Sequence, residues 1–367
     1  MKRTNEFDFW VTVSLFIFAL YMLFMVYPLF MVISKSVVSA ETGKFTLKYF
    51  KQFFSQQYYY MTLTNSFKVA LSVSIVSLAI GIPLAYLYNM YETKGAKTLQ
   101  MLIILSSMSA PFIGAYAWIL LLGRAGVITK FLKATFGISV PTIYGFPGIV
   151  LVLSLKLFPL VFLYVSGALK NLDNSLLEAS QGMGRSGFKR FATVVLPLCM
   201  PSILAAALMV FMRALADFGT PLMIGEGYMT FPVIIYNQFV GEVGTNQNFA
   251  ASISVIAIII TMIFFLVQKY MSTRHSFSIS AMNPIERKKP TAIGSFFIHL
   301  FAYGVVACSL LPQLYLVYLS FRKTSSAGIV FLKGYSLKSY QQVFSNMGGT
   351  IWNTIRICGM ALIVIVF

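Results

Sequence analysis

The chain has 367 residues, of which 58% are hydrophobic and 10% charged, and its mean hydropathy is +0.80. Soluble domains carry roughly 25% charged residues, so a water-soluble enzyme or carrier is excluded. The net charge of +18 comes from Lys and Arg set between apolar runs, where they meet anionic lipid headgroups, and nucleic acid is not an expected partner.

A helix needs about 20 apolar residues to cross ~30 Å of hydrocarbon. Runs of that length lie near Trp10–Ile33, Leu63–Tyr88, Leu99–Leu122, Ile149–Leu169, Pro201–Ile224, Ala250–Gln268 and Ile293–Leu319, and an eighth begins at Ile351. Pro28, Pro83, Pro111, Pro159 and Pro312 fall within them, which spanning helices tolerate when neighbours re-satisfy the freed carbonyl. The first run, behind Lys2 and Arg3, is too long for the apolar core of a signal peptide and reads as a retained span.

The first run and the segment after it recur in mid-chain. Phe45-Thr46-Leu47-Lys48-Tyr49-Phe50-Lys51-Gln52-Phe53-Phe54 aligns with Tyr335-Ser336-Leu337-Lys338-Ser339-Tyr340-Gln341-Gln342-Val343-Phe344. Asn65-Ser66-Phe67-Lys68 likewise aligns with Asn353-Thr354-Ile355-Arg356, and each block follows a span that holds a proline, Pro28 or Pro312. Parallel repeats of this kind mark transporters. The expected organisation is a six-span unit over residues 1–283, a cationic linker from Ser272 to Pro290, and the opening of a second unit over residues 284–367. Since a helix cannot end in hydrocarbon with bare carbonyls, the expectation is a longer chain of roughly 550 residues and about twelve spans. Lys and Arg lean slightly to the amino-terminal side of the alternation, which favours a cytoplasmic amino terminus.

The longest polar interruption in the first unit runs from Lys170 to Arg190. It reads as a short amphipathic helix starting near Asn174 or Ser175, with Glu178 in its first turn, followed by a glycine-broken bend. Leu176, Leu177, Ala179 and Ser180 are expected to pack on the bundle, with Glu178, Gln181, Arg185 and Lys189 facing water. A surface helix held between two spans is suited to docking a soluble partner.

Glu178-Ala179-Ser180, three residues, Gly184, nine residues, Val194, one residue, then Leu196-Pro197 resembles the EAA loop of binding-protein-dependent importers of the ATP-binding-cassette superfamily. The departures are Ser180 for Ala and Val194 for Ile, both small. The loop also lies between the fourth and fifth spans of its unit, where that family places it. The resemblance implies an all-α permease fold of the type I importer kind in a bacterial inner membrane. It also implies a coupling helix seated on a dimer of ATPase subunits, and a periplasmic or lipoprotein binding protein that delivers cargo. On this reading Glu178 faces a basic residue of the ATPase and Gly184 permits the turn after the helix. No cofactor is expected in this chain: Gly95-Ala96-Lys97-Thr98 lacks the Gly-Lys pair of a phosphate-binding loop, so ATP and Mg²⁺ belong to the partner ATPase.

Arg213-Ala214-Leu215-Ala216-Asp217-Phe218-Gly219-Thr220-Pro221 resembles the Ala-Asp-Phe-Gly-x-Pro stretch of ferric-iron permeases, which are commonly two fused units. Ferric iron is therefore the leading cargo. Polyamine, phosphonate, sulfate or thiamine are the alternatives on the same machinery. Arg213 and Asp217, one helical turn apart inside a span, either pair with each other or line the pathway at a helix break before Gly219. Cys199, Cys308 and Cys358 and the two histidines, His275 and His299, lack metal-ligand spacing. An ion-coupled secondary transporter is the remote alternative and gives no reason for the Glu178–Pro197 spacing. An intramembrane enzyme lacks a constellation around Asp217.

Overall fold

A computed structural model describes residues 9–39, 42–138, 141–240, 246–274, 283, 285–324 and 331–366. Lys2, Arg3, Ala40, His275 and much of the expected linker lie outside these residues. Among the described residues, eight helical stretches are long and apolar enough to cross a membrane, in the order the hydropathy implies. The first comprises α1 (Phe9–Tyr21), a wider π-type turn at Met22–Val26, and α2 (Tyr27–Ser36). There follow the short α3 (Lys48–Ser55), the long α4 (Gln57–Met90), α5 (Ala96–Ser106), α6 (Pro111–Leu122) and α7 (Val127–Phe136). Then come α8 (Phe146–Lys170), the surface helix α9 (Asn174–Gly182), α10 (Gly187–Arg190) and α11 (Leu196–Ala216). The chain continues through α12 (Gly219–Ile224), α13 (Phe231–Val240), α14 (Gln247–Arg274) and α15 (Ala292–Ser320). A two-stranded antiparallel hairpin, β1 (Arg322–Thr324) and β2 (Phe331–Tyr335), then leads into α16 (Lys338–Val366). That hairpin is the one departure from an all-α fold among the described residues.

Two spans are interrupted where the hydropathy reads them as continuous. The expected third run, Leu99–Leu122, breaks at Ser107–Ala110, because Pro111 cannot continue α5 and instead opens α6, and the stretch long enough to cross is Phe112–Phe136. The fifth spans Gly187 to Ala216 and stops at Asp217, whose backbone is extended, before α12 begins.

The core is built from α4, α8 and α11, with α5 and α15 packed alongside. Hydrocarbon supplies no hydrophobic drive between helices, so spans associate through close packing and interhelical hydrogen bonds. The contact of α4 with α8 follows this rule. Ala70, Ser74, Ser77, Gly81 and Ala85 are all buried and recur every three or four residues, so that one face of α4 carries small side chains. Asn89 Nδ2 crosses the seam to Ser166 Oγ at 3.0 Å. A Cβ on Gly81 would sit 2.6 Å from the Val161 Cβ and 3.1 Å from the Phe158 carbonyl oxygen. Gly81→Val is therefore expected to force the two helices apart and destabilise the protein by about 1–3 kcal/mol, read as a lowered Tm in nanodiscs.

The seventh span is bound to the first six. Ala302, Val306 and Leu310 of α15 are buried in the main core. Pro159 in α8 has no N–H to offer the Leu155 carbonyl one turn back, and Ser309 Oγ of α15 donates to that oxygen at 2.8 Å instead. Gln313 Nε2 similarly donates to the Ser106 carbonyl at the end of α5 (3.3 Å).

The two sequence blocks share local hydrogen bonds. Thr46 N–H donates to the Val37 carbonyl at 2.8 Å, and Ser336 N–H to the Phe321 carbonyl at 2.9 Å. The Thr46 hydroxyl accepts from Lys48 N–H (3.2 Å) as the Ser336 hydroxyl accepts from Lys338 N–H (3.1 Å), and these contacts start α3 and α16. Beyond that the blocks differ. The chain is extended at Gln56, so α3 and α4 are separate, whereas α16 runs on without a break. Two more residues separate Thr46 from Asn65 than Ser336 from Asn353, which matches the extra break. Asn65 Nδ2 donates to the Met229 carbonyl (3.1 Å), while Asn353 lies on the exposed surface of α16.

Candidate functional site

The loop between α8 and α11 folds into a helix capped at both ends. At its start Asp173 is extended, and its Oδ1 accepts from Ser175 N–H at 2.9 Å, which satisfies one orphan amide of the first turn. The helix begins at Asn174, so Glu178 lies in the second turn rather than the first. Its Oε1 accepts from Asn174 Nδ2 at 2.7 Å. At the other end Gly184 N–H donates to the Gln181 carbonyl (2.9 Å) and Arg185 N–H to the Ser180 carbonyl (3.0 Å). This pair of bonds is the Schellman closure, and it requires the left-handed backbone that Gly184 adopts, with φ +76°.

The faces of α9 differ in part from the sequence expectation. Leu177 and Ser180 are buried against the bundle as expected, whereas Leu176 and Ala179 are exposed with Glu178 and Gln181. With buried positions only at every third residue, the helix rests on a narrow edge and leaves most of its circumference to water. Met183 and Phe188, 73% and 80% exposed, continue that outward surface past the bend. The Ser180 hydroxyl is buried without a hydrogen-bond partner, so an alanine would suit the position at least as well. Downstream, Val194 and Leu196 are half-buried and pack on the core, and Pro197 is exposed just after a wider π-type turn at Phe191–Val195, within a helix that runs on from Gly187.

The described end of the linker is laid against this loop, a contact sequence reasoning missed. Asn174 N–H donates to the Asn283 carbonyl at 3.0 Å, and Lys288 Nζ to Gln181 Oε1 at 3.3 Å. Lys288 pairs with Tyr91 as an isolated parallel bridge, and the Arg287 guanidinium lies 5.2 Å from the centre of the Tyr88 ring. A cleft of about 210 Å³ remains between Tyr86, Glu178, Arg190 and Lys288.

Deep in the bundle, Asp217 is paired with Lys156 and not with Arg213. Lys156 Nζ lies 3.2 Å from Asp217 Oδ2, with the two side chains 21% and 10% exposed. The other carboxylate oxygen, Oδ1, accepts from Thr220 N–H at 2.9 Å and holds the start of α12. Arg213, one turn earlier on α11, is exposed beside them, and the three surround an open cavity of about 400 Å³ with Phe112, Leu157 and Phe218. Lys156 was the missed member. A lysine inside an apolar run demands a partner, and Asp217 is the acid that the spans supply. At the end of the bundle opposite α9, Arg124 and Glu226 pair on the surface.

A polytopic bundle with interrupted spans and a capped surface helix between two of them is the architecture of a transport permease. Residues 77–276 match the family described as binding-protein-dependent transport system inner membrane component, and the chain belongs to that family as a multi-pass inner-membrane protein. It is 30% identical over 215 residues to a putative ferric transport system permease protein of Haemophilus influenzae, covering 58% of this chain and 34% of that protein. To the molybdenum transport system permease protein of Haemophilus influenzae it is 31% identical over 215 residues, covering 57% and 91%. Other matches are named for spermidine/putrescine and 2-aminoethylphosphonate transport. The chain spans about a third of the length of the ferric permeases it matches. A solved bacterial alginate ABC transporter, in complex with alginate pentasaccharide-bound periplasmic protein, shares the fold. Its TM-score is 0.60 at 16% identity, over 76% of this chain and 97% of that one.

Proposed function

We propose that this chain is the translocating subunit of an ATP-driven importer, with α9 as the element that receives force from a separate ATPase. The observation that carries this reading is a helix capped at both ends by its own sequence and resting on one edge. It presents Glu178, Ala179 and Gln181 to a partner, and the exposed Phe188 of α10 extends that surface. A helix so closed moves as a rigid body, and Leu196-Pro197 at the head of α11 carries that motion into a span. ATP and Mg²⁺ are used by the ATPase dimer, and a periplasmic or lipoprotein binding protein delivers cargo to the opposite face. The matched hydrogen bonds at Thr46 and Ser336 support a reading of residues 1–283 and 284–367 as parts of two like units. Ferric iron is the cargo favoured by the Arg213–Pro221 stretch and by the ferric relatives. Molybdate, polyamine and phosphonate are the alternatives set by the other relatives' names.

In this orientation the α9 loop is cytoplasmic and Glu226 lies outside. With Cys308 and Cys358 replaced by serine and Cys199 by alanine, a cysteine at Ser186 should resist an impermeant maleimide in intact spheroplasts and react after lysis. Prompt labelling in intact spheroplasts would invert the topology and remove the ATPase-docking role of α9.

A further inference from the structure

The cavity beside α11 carries an unbalanced set of charges. Its ionisable lining is Lys156, Arg213 and Asp217: two cations and one carboxylate. Asp217 is paired through both oxygens, one on Lys156 Nζ at 3.2 Å and the other on Thr220 N–H at 2.9 Å. Arg213 has no hydrogen bond or ion pair among the described residues, so all five of its N–H donors remain unspent. Lys156 retains donors beyond the one it gives Asp217. The charge left unpaired in the cavity is therefore cationic, and its net charge is positive.

Position makes this imbalance matter. Lys156 lies well inside α8, with more than two turns of helix on either side, and Arg213 lies in the last turn of α11 before the break. A guanidinium held inside a span is costly against hydrocarbon, which favours a face toward water or protein for Arg213. Lys156, 21% exposed, is the part of the site where the attraction for an anion exceeds that at a wet surface.

We propose that Lys156 and Arg213 form a cationic half-site that takes the cargo as an anion, with Asp217 holding Lys156 in place between passages. The cargo class is an oxyanion, or a metal ion enclosed in anionic ligands so that the complex is negatively charged. Bare metal cations and polyamines are disfavoured: they would meet two positive charges against one carboxylate that already pairs with Lys156. This inference rests on the permease reading above and narrows its cargo: iron, if carried, crosses as an anionic complex.

The test uses the whole transporter, with its ATPase and binding protein, in proteoliposomes. ATP-dependent uptake is measured for iron(III) with excess citrate, for molybdate, for aquo iron(II) and for spermidine. The expected result is uptake of one of the two anionic probes. For that probe, Arg213→Gln should lower uptake by about tenfold or more and Arg213→Lys should restore most of it. The exchange Lys156→Asp with Asp217→Lys preserves an ion pair but relocates its charges, and it should also lose uptake. Co-purification of the ATPase with each variant shows that the variant has assembled. Uptake of spermidine or aquo iron(II) instead would overturn the anionic half-site while leaving the permease reading intact. So would wild-type uptake by both Arg213→Gln and the exchanged pair, the result of a purely structural latch. Failure of the wild-type chain to bind any ATPase, with no ATP-dependent uptake of any probe, would overturn the permease reading and this inference with it.

Discussion

Glu178→Lys should abolish uptake while leaving the protein in the membrane at normal abundance. Glu178 is exposed, and among the described residues its hydrogen bond is to Asn174, on the same helix. Exposed substitutions of this kind usually shift stability by no more than about 0.5 kcal/mol. At a docked interface the same reversal replaces a close attraction by repulsion and can cost several kcal/mol of binding. The new lysine would also join Arg190, Arg287 and Lys288 around one cleft, which deepens the repulsion toward a basic partner surface. Two readouts decide the matter: uptake of labelled cargo and co-purification of the ATPase. Normal values for both would mean that α9 is not the coupling element. Gly184→Val separates shape from charge, because it leaves every charge in place and denies the chain the left-handed turn at φ +76°. A β-branched residue there costs roughly 1–2 kcal/mol, enough to open the Schellman closure, and should reduce coupling without the electrostatic signature.

The Lys156–Asp217 pair should show strong non-additivity. Lys156→Met alone leaves a carboxylate and Asp217→Asn alone leaves an ammonium, each mostly buried and unpaired, and each is expected to cost about 3–5 kcal/mol. Asparagine keeps an oxygen for the Thr220 N–H, so Asp217→Asn removes the charge while retaining the start of α12. The double variant buries no charge and should be less destabilised than the sum of the singles by several kcal/mol. Thermal unfolding of the four proteins in nanodiscs gives the coupling directly. A sum that matches the double variant within error would mean that the 3.2 Å contact contributes nothing.

The spans were legible because hydrocarbon imposes a length and a composition on any helix that crosses it, and the order of Trp10 to Ser320 follows from that alone. The α9 loop was legible through its spacing, and the turn that the resemblance implies at Gly184 has a left-handed backbone. What escaped were the details set by partners distant in the chain. Leu176 and Ala179 were assigned to the bundle by an amphipathic pattern broad enough to fit either edge of a nine-residue helix. Only the docking of α9 through Leu177 and Ser180 selects one edge. Arg213 and Asp217 are adjacent on one helix face, and sequence proximity suggested a pair, yet the carboxylate turns to Lys156, sixty-one residues away. The break at Ser107–Ala110 was hidden because Ser106, Ser107 and Ser109 are too few to interrupt an apolar run of this length, and hydropathy does not register a missing N–H. The apposition of Asn283 and Lys288 with α9 has no local signature in the sequence.

The bond from Ser309 to the carbonyl that Pro159 leaves bare bears on how the protein is made. During synthesis α8 is threaded into the bilayer long before the ribosome reaches residue 309, and through that interval the Leu155 oxygen lacks its eventual donor. The same holds for the Ser106 carbonyl until Gln313 emerges. The first six spans are thus delivered with two loose ends that only the seventh closes, and a quality-control protease that surveys half-built bundles would have its longest opportunity in that window. The linker's contact with α9 then fastens the seventh span's leading end to the outward-facing helix. Closure of the bundle and fastening of the linker to α9 thereby both fall late in biogenesis.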